Sequence, residues 1–108
     1  MNWFEHDNMK KFESFWNNLL IELRTPKKIK NWTTKKGNFG EDFTAQVKNN
    51  HTILCTTLKG SENNPSRKDF ELIYDNWNGY VSENIPRKDF LQSRFTKYTI
   101  SIIHQYLK

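Results

Sequence analysis

The stretch Asp42 to Lys48, Asp-Phe-Thr-Ala-Gln-Val-Lys, has residue types that could do chemistry. Metal-assisted hydrolysis gathers metal-binding oxygens beside a lysine on a sheet. Here Asp42 stands only four residues before Gln46, on the same expected strand. Asp42, Gln46 and Lys48 then share one strand face, opposite Phe43, Ala45 and Val47. A solvated outer strand face accounts for that alternation without a metal. The histidines His6, His51 and His104 fall near the N-terminus, in a turn and late in the last helix. No pair has ligand spacing, and one cysteine cannot complete a zinc site. Cys55 lies in an apolar run, cannot form an internal disulfide and reads as a small buried hydrophobe. Gly37-x-x-Gly40 lacks the lysine and following helix of a phosphate loop. Serine and histidine are scattered without a nucleophile-base motif. The expectation is a protein without catalytic residues, metal or cofactor.

What remains is charge at helix starts. Arg-Lys-Asp-Phe occurs twice, at Arg67 to Phe70 and Arg87 to Phe90. Ser66 is a natural N-cap, with Asp69 completing a capping-box-like pair. An Asp in the first turn suits the macrodipole, whereas Arg-Lys there does not. Basic side chains beside free helix N–H groups could form an anion site. Solvation of long side chains is the plainer alternative.

The elements that must position these residues follow from periodicity. Phe12, Phe15, Trp16, Leu19, Leu20 and Leu23 line one face of a helix over Asp7 to Arg24, capped by Asp7 or Asn8 and stopped by Pro26. Ile29, Trp32 and the threonines after them suggest a first strand, and Gly37 to Gly40 a turn. Glu41 to Lys48 alternates as a half-buried strand. Asn49-Asn50 suits a two-residue hairpin turn, and Thr52 to Leu58 is the next strand. Gly60 to Asn64 reads as a loop. Phe70, Ile73, Tyr74, Trp77 and Tyr80/Val81 then form the apolar face of a helix ending near Gly79 to Ser82. Ile85 is a hydrophobic staple, Pro86 starts a short helix through Leu91, and Ser93 caps a last helix. Its face is Phe95, Tyr98, Ile102, Ile103 and Tyr106. The β-branched run Thr99 to Ile102 favours a strand by propensity, but period and length favour helix. The expected fold is α+β: an N-terminal helix, a three-stranded antiparallel meander and three C-terminal helices, in one domain over 1–108.

The run Phe70 to Gly79, then Ile85-Pro-Arg-Lys-Asp-Phe90, then Ser93-Arg94-Phe95-Thr96-Lys97-Tyr98, resembles the helix-turn-helix of resolvase-like serine recombinases. That resemblance implies DNA contacts from Ser93, Arg94, Thr96 and Lys97, since the first residues of a recognition helix reach base edges and phosphates. The segment between Ile85 and Ser93 is about one helical turn shorter than that motif, and the usual turn glycine is absent. The whole chain is similar to small orphan bacterial proteins of mobile gene cassettes in size and Asn/Lys/Phe/Ile bias.

Composition bounds the partners. The 108 residues include 17 Lys/Arg and 12 Asp/Glu, a net charge of +5, and 15% aromatics. A basic excess permits nucleic-acid binding. The expected phosphate contacts are Arg67, Lys68, Arg87, Lys88, Arg94 and Lys97. The alternative is a protein–protein module or homodimer, because Trp3, Phe4, Trp16, Trp32, Trp77 and Tyr80 exceed what a core this small must bury. No apolar run reaches membrane-spanning length and the N-terminus lacks a signal-peptide apolar region, so no membrane partner and a cytoplasmic location are expected.

Overall fold

The computed structural model describes residues 3–34, 36–38, 40–84 and 95–107, with side chains from Lys11 onward. Its elements are α1 (Trp3–Glu22), β1 (Lys27–Ile29), β2 (Trp32–Thr33), β3 (Gly37–Asn38), β4 (Phe43–Lys48), β5 (Thr52–Thr57), β6 (Glu62–Asn63), α2 (Arg67–Asp75), α3 (Trp77–Val81) and α4 (Thr96–Tyr106). The fold is α+β, as the periodicities imply, but its arrangement differs from a simple meander followed by three helices.

The main sheet is antiparallel, in the order β1-β4-β5-β6. β4 and β5 form its centre, paired from Phe43↔Thr57 to Lys48↔Thr52. That register leaves three residues in the connection rather than two. Asn49 and Asn50 both take positive φ, 56° and 68°, which asparagine tolerates better than most residues. The segment expected as one first strand is divided. Lys27–Ile29 pairs with β4, while Trp32–Thr33 turns away and pairs with Gly37–Asn38 in a separate ribbon. The glycine at 37 is therefore part of a strand, and the turn precedes it. The polar stretch after Gly60 supplies a further short strand, Glu62–Asn63, on Thr56 and Cys55. Gly60 makes that reversal at φ 88°.

α1 begins at Trp3, earlier than Asp7, and ends two residues before Arg24, with Pro26 beyond it. α2 has the full capping box: the Ser66 side chain accepts from the Asp69 N–H, and the Asp69 carboxylate accepts from the Ser66 N–H at 2.7 Å. The helix expected to run on to Gly79–Ser82 is interrupted at Asn76, whose side-chain amide donates to the Leu72 carbonyl at 2.8 Å. α3 then carries the same apolar face on to Tyr80. The expected staple at Ile85, the short helix from Pro86 and the Ser93 cap lie outside the described residues.

The core joins α1, the sheet, α2 and α4 through Phe12, Trp16, Leu19, Leu23, Ile29, Phe43, Ile53, Phe70 and Ile103. α4 is its axis. Thr96 and Tyr98 through Ile103 are all buried, so the apolar stripe read from the sequence widens to nearly the whole circumference. The buried hydroxyls are satisfied within the fold: Thr99 donates to the Phe95 carbonyl at 3.2 Å. Tertiary burial thus overrides the strand propensity of Thr99 to Ile102. Trp16, expected among the surplus aromatics, is 3% exposed and packs on Phe70. Among the described residues, no helix is long and apolar enough to cross a membrane.

Candidate functional site

The first-strand segment carries Trp32 to the surface of α4, and two α4 side chains fix it there. The Ser101 hydroxyl accepts from the Trp32 N–H at 3.0 Å, and its own proton has the Lys97 carbonyl, also at 3.0 Å, as nearest acceptor. One turn on, the Gln105 carboxamide accepts from the Lys30 N–H at 3.2 Å and donates to the Lys28 carbonyl at 3.1 Å. These i, i+4 residues do for segment 28–32 what a neighbouring strand would do, which is why β1 and β2 do not continue as one strand. The Tyr80 hydroxyl accepts from the Thr34 N–H at 3.3 Å and ties α3 to the β2–β3 ribbon.

This framework gathers four rings. The His104 imidazole lies on the Trp32 indole with centroids 3.8 Å apart and planes 6° from parallel. Trp77 lies 6.0 Å from Trp32, tilted by 38°, and Tyr80 meets Trp32 edge-on at 6.4 Å. Tyr80 is buried, Trp32 and Trp77 are half-buried, and His104 is exposed. Burial of one side of the imidazole lowers its pKa from the ordinary value. At neutral pH the site therefore presents an uncharged, flat heteroaromatic ring backed by an indole.

The expected basic residues are placed differently from one another. Arg67 is engaged within the protein: it pairs with Glu13 of α1 and sits 5.5 Å from the centre of the Phe12 ring. Lys68 is exposed at the start of α2, and Lys97 is exposed on α4, its ammonium 5.0 Å from the centre of the Tyr98 ring. Thr96, expected at the nucleic acid, is 3% exposed, because α4 enters the core at its first turn. Arg87, Lys88, Ser93 and Arg94 lie outside the described residues. Of the surplus aromatics, Trp32 and Trp77 share the cluster half-buried, Tyr80 joins it but is 3% exposed and so belongs to the core, and the side chains of Trp3 and Phe4 are outside the described set.

Asp42 pairs with Lys28 at 3.7 Å, and Gln46 and Lys48 face solvent on the outer side of β4. Cys55 is buried, and burial pushes its thiol up to about 12. Among the described residues there is no group of three His, Cys, Asp or Glu side chains that could hold a metal. The sequence singled out Trp32, Trp77 and Tyr80 for their abundance and His104 only as a possible ligand. Trp32 and His104 are 72 residues apart, and no local pattern joins them.

Comparisons with protein-family models, with curated proteins and with solved structures found no match to this chain.

Proposed function

We propose that this protein is a non-enzymatic nucleic-acid-binding domain. The observation that carries the reading is the half-open aromatic cluster of Trp32, Trp77 and His104 in a chain of net charge +5. Flat, partly exposed rings on a basic protein offer stacking surface together with phosphate contacts. Lys30, two residues before Trp32 with its backbone N–H held by Gln105, and Lys97, seven residues before His104, are exposed cations on the two segments that carry these rings. Lys68, Arg87, Lys88 and Arg94 complete the set on sequence grounds. Arg67 acts as a strut between α2 and α1.

The reading is tested by titrating labelled DNA and RNA with the full chain over a salt series. Binding should weaken linearly in log–log form, with a slope of about −0.7 to −0.9 per phosphate neutralised. The Lys30→Glu/Lys97→Glu double variant should bind at least tenfold more weakly at low salt. Binding that is absent, or indifferent to salt and to these lysines, overturns it.

A second reading, a surface for another copy of the chain, rests on a separate groove of about 670 Å³ between α1, Tyr74 and the end of α4. Ile21 on its rim is 55% exposed, and Phe15, Tyr106 and Leu107 line it. Light-scattering mass tests it: a dimer broken by Ile21→Lys supports it, and a monomer at high micromolar concentration rejects it.

A further inference from the structure

We infer that the nucleic acid taken is single-stranded, and that one of its bases lies on the outer face of His104 as the third ring of the Trp32–His104 stack. The inference rests on the nucleic-acid reading above and specifies its ligand.

Three observations carry it. The first is the geometry of the stack. Two rings 3.8 Å apart and 6° from parallel are already spaced as in stacked heterocycles, and the imidazole of the pair belongs to an exposed residue. A base can add on the face of His104 away from Trp32, in a parallel plane and at the same interval. Such a face is offered by an unpaired, unstacked base and not by a base inside a duplex, where both faces are covered by neighbours.

The second is the burial of α4. From Thr96 to His104 only Lys97 and His104 are exposed. A helix that reads a major groove must present a continuous outer face to base edges. This helix spends that face on the core, and offers two points separated by seven residues, about 10 Å along its axis. One is a cation suited to a phosphate and the other a ring suited to a base, which is the alternation of a single strand laid along the surface.

The third is rigidity. Ser101 and Gln105 pin the Trp32 segment to the same helix that carries His104. Both rings sit on one hydrogen-bonded framework before any ligand arrives, so little ordering is required on binding. The base contact does not depend on base identity, because every base has a flat face. Little sequence preference is therefore expected.

The test is fluorescence anisotropy on the full chain with three labelled probes of equal length: oligo-dT, oligo-U and a mixed-sequence DNA duplex. Each is titrated at low salt with the wild type, His104→Ala and His104→Phe, with circular dichroism and thermal melting run on each protein. The single strands should bind at least tenfold tighter than the duplex. His104→Ala should weaken single-strand binding about tenfold, the loss expected for one base stack. His104→Phe, which keeps a flat ring without the nitrogens, should bind within about threefold of wild type. A duplex bound as tightly as the single strands, or a Phe variant as weak as the Ala variant, overturns the inference while leaving nucleic-acid binding standing. No binding to any probe overturns both.

Discussion

His104 lies flat on Trp32, at 3.8 Å between centroids, although the two residues are 72 positions apart. The contact is made by Ser101 and Gln105, one helical turn apart, which hydrogen-bond the backbone of residues 28–32 to α4. The same helix supplies the core on its inner positions and the ring on its outer one. Folding of α4 and assembly of the aromatic face are consequently one event, and changes in this tether should be felt in both.

Loss of the Ser101 hydroxyl leaves the half-buried Trp32 N–H without its acceptor. Ser101→Ala should therefore cost about 1–3 kcal/mol in urea unfolding. Gln105→Ala breaks two bonds to Lys28 and Lys30, but both residues are exposed, so water replaces the lost partners and the cost should stay below about 1 kcal/mol. The reverse order would contradict the assigned roles.

The pH dependence of His104 has a definite sign. Burial disfavours the imidazolium in the folded state, so its folded pKa lies below the ordinary 6.5. The unfolded chain then takes up this proton first. Stability from this group is level above about pH 7, falls as pH drops through 6.5 toward the folded pKa, and is level again below it. An NMR titration should give a His104 midpoint below 6.5. A midpoint above it would mean that Trp32 attracts the cation more strongly than burial repels it.

Cys55 should be inert while the fold is intact. With its pKa pushed up to about 12 and its side chain buried, it carries almost no thiolate at pH 8. A disulfide reagent should titrate no thiol in native buffer and one thiol in denaturant. Rapid reaction of the native protein would contradict the packing of β5.

Core and surface apolar residues should separate cleanly. Phe70 is fully buried between α1 and α2, and Phe70→Ala should cost about 3–5 kcal/mol. Leu58 is 70% exposed at the β5–β6 turn, and Leu58→Ser should change stability by less than about 0.5 kcal/mol. Chemical denaturation of both variants checks the pair.

The parts of this fold legible in the sequence are those set by local pattern. The apolar face from Phe70 to Tyr80 was readable at helical spacing, as was the Ser66–Asp69 capping box. So was the alternation of Phe43, Ala45 and Val47 against Thr44, Gln46 and Lys48. What was not legible depends on distant partners. The division of the first strand comes from Ser101 and Gln105, about seventy residues downstream. β6 is two polar residues whose pairing is fixed by the turn at Gly60. The burial of Thr96, Thr99 and Ser101 follows from α4 being enclosed except along the line of Lys97 and His104, whereas their residue types suggest a half-exposed helix. The aromatic face shares this property: its rings are visible in the sequence, and their meeting is not.

The most direct test of the central claim is a heteronuclear NMR titration of the full chain with oligo-dT at low salt. Ring-current shifts should appear at the His104 imidazole and the Trp32 and Trp77 indole N–H signals, and should reverse as salt is raised. Shifts absent from these three residues, or confined to the groove around Phe15 and Tyr74, would contradict it.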